Sequence, residues 1–226
     1  MRDLFSLGPR LSKCAEYVRE GSKFADIGTD HGYLPIWLRL KEKVNTAIAA
    51  DIGEGPLSSA KKNAARYRCE IKTALSDGFK NIDPNEIEDA VIAGMGGGLM
   101  ISIITAAPWL RENKRHIILQ PMTMVPELRK WLSDEGFFIE KEETVMDENK
   151  VYSVMSVYFD PDKPRLDETE IYMGKIVPGT EYSREYAEKV LKKLSDKIKG
   201  HSHRGEREEA EKAEALSKKI AEIYLS

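Results

Sequence analysis

Apolar and polar positions change rhythm along the chain. Between residues 23 and 159, short apolar runs of strand length alternate with stretches in which apolar residues return every three or four positions. That alternation is the pattern of parallel strands joined by crossover helices. The runs predict strands at 23–27, 46–51, 70–75, 89–93 and 116–120, and the stretches between them predict helices around 35–41, 56–66, 99–109 and 125–135. Two later β-type runs, 137–145 and 152–159, are separated by the polar 146–150, a linker of hairpin length. The expected fold is therefore α/β: a Rossmann-like, mostly parallel sheet that finishes in an antiparallel hairpin.

Beyond this sheet the pattern changes. Residues 161–178, with three prolines and mixed charges, read as a connector with little regular structure. Tyr186, Val190, Leu194 and Ile198 then fall four apart, and Ala210, Ala213, Leu216, Ile220 and Ile223 recur at helical spacing, so each set makes one apolar stripe on a helix. Between the stripes, Gly200-His201-Ser202-His203-Arg204-Gly205 carries glycines suited to a helix stop and a turn. The expected organisation is a sheet domain over residues 1–160 and a connector with a C-terminal α-helical hairpin over 161–226.

Composition narrows the setting. A hydrophobic share of 41% and a charged share of 32% are those of a globular protein, and no apolar run is long enough to cross a bilayer. The first ten residues are interrupted by charges, Gly8 and Pro9, unlike a secretory leader, so a cytoplasmic protein without a membrane partner is expected. Cys14 and Cys69 are too few for a disulfide framework and lack the grouping of a metal site; no metal is expected. The formal net charge of −3 does not suit binding of nucleic acid by bulk charge. Locally the balance reverses: from Lys189 to Arg207 there are seven basic residues against two acidic ones.

Chemistry concentrates after the first strand. Phe24-Ala25-Asp26-Ile27-Gly28-Thr29-Asp30-His31-Gly32-Tyr33-Leu34-Pro35 reads as a strand, a glycine turn and a helix start, which lets a ligand approach the backbone. A glycine turn alone does not choose between NAD, FAD and S-adenosylmethionine. The acids do discriminate. Asp30 stands where a dinucleotide fingerprint needs a small residue, and its carboxylate repels a pyrophosphate. S-adenosylmethionine has no phosphate and carries a sulfonium and an ammonium group, which suit Asp26 and Asp30. The terminal antiparallel hairpin agrees, since it is the layout of class I methyltransferases.

Other strand ends add candidates. Asp51, next to Ile52, closes the second strand, where an acid accepts hydrogen bonds from ribose hydroxyls or else caps the following helix. Ser76-Asp77-Gly78 follows the third strand, as an acceptor for an adenine amino group or as an ordinary Asp-Gly turn. Ala93-Gly94-Met95-Gly96-Gly97-Gly98 follows the fourth, where many amino-methylating enzymes carry Asn/Asp-Pro-Pro-aromatic; its glycines permit close approach of a flat ligand. Gln120-Pro121 ends the fifth, with Gln120 free either to pair with a base edge or to bond backbone.

Taken together, Leu7-Gly8-Pro9-Arg10-Leu11, the Asp26–Pro35 motif, Ala93-Gly94-Met95-Gly96-Gly97 and Leu119-Gln120-Pro121 resemble the bacterial tRNA adenine-22 N1-methyltransferases, the TrmK family. The resemblance spans the whole chain and implies a coiled-coil-like C-terminal hairpin, S-adenosyl-L-methionine as cofactor, tRNA as partner, and methyl transfer to N1 of an adenine in the D-arm region. It implies a cofactor set of Asp26, Gly28, Thr29, Gly32, Asp51, Ile52, Asp77, Gly78, Gly94, Met95 and Gly96. For catalysis it points to Asp30, as stabiliser of the cation that develops on the base, and to His31 as its hydrogen-bond partner or as proton acceptor, or else both only shape the loop. Arg10 is a phosphate ligand or a paired surface arginine, and Gln120 completes the catalytic set. Tyr33 or Met95 can support the extruded base. A monomer is expected. The competing readings are a methyltransferase for another acceptor, a noncatalytic RNA-binding module and, disfavoured by Asp30, a nicotinamide oxidoreductase.

Overall fold

The computed structural model describes residues 5–112 and 115–226. Residues 1–4, on which the absence of a leader was partly judged, lie outside them. A helix α1 (Pro9–Tyr17) precedes a sheet of seven strands: β1 (Ser22–Ile27), β2 (Val44–Asp51), β3 (Lys72–Leu75), β4 (Asp89–Gly96), β5 (His116–Thr123), β6 (Phe137–Asp147) and β7 (Lys150–Phe159). Their order is β3-β2-β1-β4-β5-β7-β6. All neighbours are parallel except β7, which runs antiparallel to both β5 and β6. The expected sheet with its terminal hairpin is what forms. The order reverses between β1 and β4, and a ligand crevice opens at the carboxyl ends beside such a switch point.

Side-chain alternation along the central strands builds two cores. Ala25, Ile27, Ala90, Ile92, Ile117 and Leu119 point to one face and pack with Met100, Ile104, Leu128 and Leu132 of α4 (Gly97–Thr105) and α5 (Val125–Asp134). Phe24, Val91 and Ile118 point to the other, against Cys14, Val18, Leu34 and Leu38 of α1, its trailing turn and α2 (Tyr33–Leu40). Strands covered on both faces read as nearly continuous apolar runs, which is why they were visible in the sequence. Helix α3 (Glu54–Tyr67) lies beside α2. Gly32 caps α2 at φ +68, and a Cβ there would stand 2.8 Å from that of Ala60, so this close crossing of the two helices requires glycine.

Several boundaries shift for local reasons. The stretch expected as one helix over 99–109 divides into α4 and a short 3₁₀ turn that begins at Pro108. The five-residue linker contracts to Glu148 and Asn149, both at positive φ, a two-residue turn whose twist suits a hairpin. The connector contains a helix, α6 (Glu168–Met173), started by a reciprocal capping box between Asp167 and Glu170. Gly200 does not stop a helix. Helix α7 (Ser183–His203) continues through it, and the turn into α8 (Arg207–Tyr224) is made at Gly205, φ +75.

The C-terminal helices share a third core, in which Met173, Tyr186, Val190, Leu194, Leu216 and Ile220 gather around Val151 of β7. The hairpin is thus seated on the sheet's antiparallel end. No described helix is long and apolar enough to cross a membrane.

Candidate active site

The motifs collect at the carboxyl ends of the strands. Asp26 sits near the end of β1 and is 6% exposed. Burial pushes its carboxyl up to about 6, the Thr29 hydroxyl offsets part of that, and the charge of Asp51 adds to it. Two acids of neighbouring strands thus lie close enough to sense each other. After β1 the chain turns at Gly28, φ +76, while the Gly28 and Thr29 amides donate to the Ala50 carbonyl of β2 at 2.8 and 2.9 Å. A Cβ on Gly28 would fall 1.9 Å from Cε of Met95, so the thioether of the β4 loop lies directly over the turn. Met95 and Gly28, distant in sequence, are brought together.

Past the turn, Asp30 and His31 stand on the surface, with side chains 81% and 47% exposed and His31 Nε2 3.2 Å from Asp30 Oδ1. His31 holds φ +59, an uncommon conformation for a non-glycine residue. Its carbonyl accepts from Asn63 Nδ2 at 2.9 Å, and its ring lies 5.7 Å from that of Tyr33.

Asp51 Oδ1 accepts from the Gly53 amide at 2.7 Å, where Gly53 is the N-cap of α3. This is an Asx turn that leads into the helix rather than a cap on its first turn, so the capping alternative is not realised, and the second carboxylate oxygen remains to accept from a ligand. Ile52 and Leu75, at the ends of β2 and β3, are 74% and 48% exposed. Large apolar side chains presented at one sheet edge suit the faces of a flat ring. Asp77 departs from this group: it is exposed and its carboxylate is engaged by Lys80 Nζ at 2.5 Å, while Gly78 makes the turn at φ +59.

At the β4 end, Gly94 takes φ +76 with open space where a side chain would be, and its amide donates to Gln120 Oε1 at 3.1 Å. Gly96 ends the strand and Gly97 begins α4, at a point where a Cβ would meet the Met124 carbonyl at 2.4 Å. Gln120 is fully buried and also accepts from Arg10 Nη1 at 3.1 Å. Arg10, on α1, is held by Asp147 through Nε at 2.6 Å and lies 5.2 Å from the Tyr152 ring. Sequence reasoning missed Asp147 and Tyr152, because 146–150 read only as a polar linker and Tyr152 as a strand position. Their signal was the hairpin register, which carries the β6 end back to the ligand edge.

A separate depression of about 1030 Å³ lies on the opposite edge, lined by Arg19, Arg111, His116, Glu140 and Ser156 among others. It shares none of the motif residues, and the candidate site is placed at the carboxyl edge because the positive-φ glycines, the acid pair and the displayed apolar residues converge there. Among the described residues no group of metal-ligating side chains is gathered.

A methyltransferase domain family matches residues 7–155, the span from the start of α1 to β7. The chain belongs to the methyltransferase family. The tRNA (adenine(22)-N(1))-methyltransferase of Bacillus subtilis (strain 168) is 36% identical over 151 residues, 66% of this chain. That match spans 63% of the B. subtilis protein's length. Structures extend the likeness beyond the sheet: the B. subtilis M1A22 tRNA methyltransferase TrmK aligns with a TM-score of 0.77 at 27% identity, covering 95% of this chain and 98% of that one. The M. capricolum TrmK, in complex with S-adenosyl-homocysteine, aligns at 0.81 and 26%, covering 97% and 99%. The likeness therefore takes in the C-terminal helices as well as the methyltransferase sheet.

Proposed function

We propose that the chain is an S-adenosylmethionine-dependent methyltransferase that modifies N1 of adenine 22 in tRNA, working as a cytoplasmic monomer. The observation that carries the reading is the acid-lined Gly28 turn beneath Met95, in a family whose M. capricolum member was solved with the cofactor product. The target nucleotide follows the name borne by the B. subtilis relative. Residues 1–160 would supply the chemistry and residues 161–226 the extended contact to RNA.

The residues fit such a cofactor. Asp26 would offer a buried carboxylate to the ammonium group, the second oxygen of Asp51 would accept from ribose hydroxyls, and the exposed Ile52 and Leu75 would cover a purine face. When bound, the cofactor supplies an electrophilic methyl group on a sulfonium. The chain's own task is to place the adenine and to accommodate positive charge as N1 becomes alkylated. The open Gly94 backbone gives a flat base room to approach. Asp30, with His31 Nε2 3.2 Å away, places a carboxylate at the mouth, where it would stabilise the cationic product base. N1 takes part in pairing, so the adenine has to leave the helix first.

The test is methylation of a transcribed tRNA with labelled cofactor, followed by mass-spectrometric mapping. One methyl at N1 of adenine 22 is expected. Modification of another nucleotide, or none, overturns the assignment. A second reading, methyl transfer to a different acceptor, draws on the open space at Gly94, where no described group within 4 Å of the side-chain position could select a base; the same experiment with protein fractions addresses it.

A further inference from the structure

The tip of the β6–β7 hairpin is connected to the Gly94 loop through one arginine. Asp147, the last residue of β6, accepts from Arg10 Nε at 2.6 Å, and Arg10 Nη1 donates to Gln120 Oε1 at 3.1 Å. The same Oε1 accepts from the Gly94 amide at 3.1 Å, while Gln120 Nε2 donates to the Pro121 carbonyl at 3.2 Å. Two donors converge on Oε1 and a carbonyl faces Nε2, so only one flip of this buried amide satisfies its partners; the other would set N–H groups against N–H groups. The Gly94 amide and the Pro121 carbonyl favour that flip from the backbone side, and Arg10, placed by Asp147, locks it with the second donor on Oε1. Arg10 is otherwise on the rim, its side chain 29% exposed and that of Asp147 18%. Without the carboxylate, its long side chain would be free to turn toward solvent or a phosphate.

We propose that Asp147 is a positioning residue for methyl transfer: by holding Arg10 it fixes the Gln120 amide, and through it the Gly94 backbone against which the acceptor base is placed. The inference rests on the function proposed above. Tyr152 backs the network, with its ring 5.2 Å from the Arg10 guanidinium and 5.0 Å from Lys189 Nζ of α7. Arg10 Nη1 also meets Met122 Sδ at 3.3 Å, and Asp147 is the charged group that holds its Nε on the inward side.

The test uses the full chain and the variants Asp147→Ala, Arg10→Ala, their combination, and Asp147→Asn as a milder change, each first checked by its melting curve. Turnover on transcribed tRNA is expected to fall about tenfold or more in each single variant, as displacements of a reacting group cost about that or more. The Kd for S-adenosylmethionine and the KM for tRNA should stay within about twofold, and the double variant should lose no more than either single one. Independent losses, or a loss confined to KM that varies with salt, would make Arg10 a phosphate ligand and overturn the proposal. A second readout needs no substrate: amide hydrogen exchange at Gly94 should accelerate in Asp147→Ala and Arg10→Ala. Unchanged exchange overturns the network even in an active enzyme. Wild-type protein that fails to methylate N1 overturns the proposed function instead, so the two fail separately.

Discussion

Arg129 of α5 and Glu142 of β6 form an ion pair with neither side chain exposed, Nη2 lying 2.6 Å from Oε1. Helices α6 and α7 close over it. Arg129 Nη1 donates to the Tyr172 carbonyl and Nη2 to the Tyr186 hydroxyl, each at 2.7 Å, and the Lys175 amide donates to Glu142 Oε2 at 3.3 Å. Burial works against the guanidinium's charge, and Glu142 with Tyr186 more than offsets it. At Gly174, φ +69, a Cβ would fall 1.9 Å from Glu142 Oε2, so the chain passes against the pair itself.

Breaking this pair leaves a buried charge without its partner. Glu142→Gln should destabilise the fold by about 3–5 kcal/mol. A chain ending at Pro161, which strips Tyr186 and the Tyr172 carbonyl from Arg129, should melt well below the full chain. Thermal denaturation of both decides the matter; unchanged melting temperatures would mean that the helices are a detachable appendage.

Asp26, in the proposed cofactor role, should make stability and cofactor binding depend on pH in opposite directions. Its folded carboxyl, at about 6, holds a proton more tightly than the ordinary value of 3.8. Between those values the native chain binds more protons than the unfolded one, so stability falls as pH rises from about 4 to about 6, by about 2–3 kcal/mol in all. An ammonium group prefers the ionised acid, so the affinity for S-adenosylmethionine should rise over the same interval and then level. Asp26→Asn should raise the melting temperature at pH 7.5 while it weakens binding and removes the pH dependence. Calorimetry showing a flat wild-type profile would exclude the contact.

Asp51 and Asp77 separate by their present partners. Asp51→Ala should weaken S-adenosylmethionine binding by roughly 1–3 kcal/mol, the loss of hydrogen bonds to a charged acceptor. Asp77 is exposed and already paired with Lys80, and its replacement by Ala should change affinity by about 0.5 kcal/mol or less. Equal losses in titration calorimetry would bring Asp77 into the site.

On α7, Lys192, Lys193, Lys197 and Lys199 are exposed, but Lys197 Nζ donates to the Tyr172 hydroxyl at 2.9 Å, and Lys189 Nζ donates to the Val151 carbonyl at 2.5 Å. Reversing the charge of Lys192, Lys193 and Lys199 should weaken tRNA binding and lower the salt slope by about 0.9 for each phosphate that is no longer neutralised. Reversal at Lys189 should instead unsettle the packing of helix on sheet. A tRNA affinity and salt slope equal to wild type in the triple variant would leave these lysines as a solvated helix face.

The sequence by itself determined the sheet, its terminal hairpin, the helical hairpin and the Asp26–Gly32 loop. Each rests on local periodicity or on turn chemistry, and strands buried on both faces cannot hide their apolar runs. Even the capping box of α6 was present in Asp167 and Glu170, though masked by the surrounding prolines. Only the tertiary structure decided which distant groups meet: Met95 over Gly28, Asp147 on Arg10, and Arg129 with Glu142 beneath Tyr186. The pairing of β1 with β4 sets the first of these and the register of β6 and β7 places Asp147 and Glu142 for the other two, and helices packed on the sheet complete them. A polar residue's partner depends on that three-dimensional register, so Asp147 in a five-residue polar run looked like any other turn acid, and Gly200 looked like a helix stop until α7 was seen to pack through it.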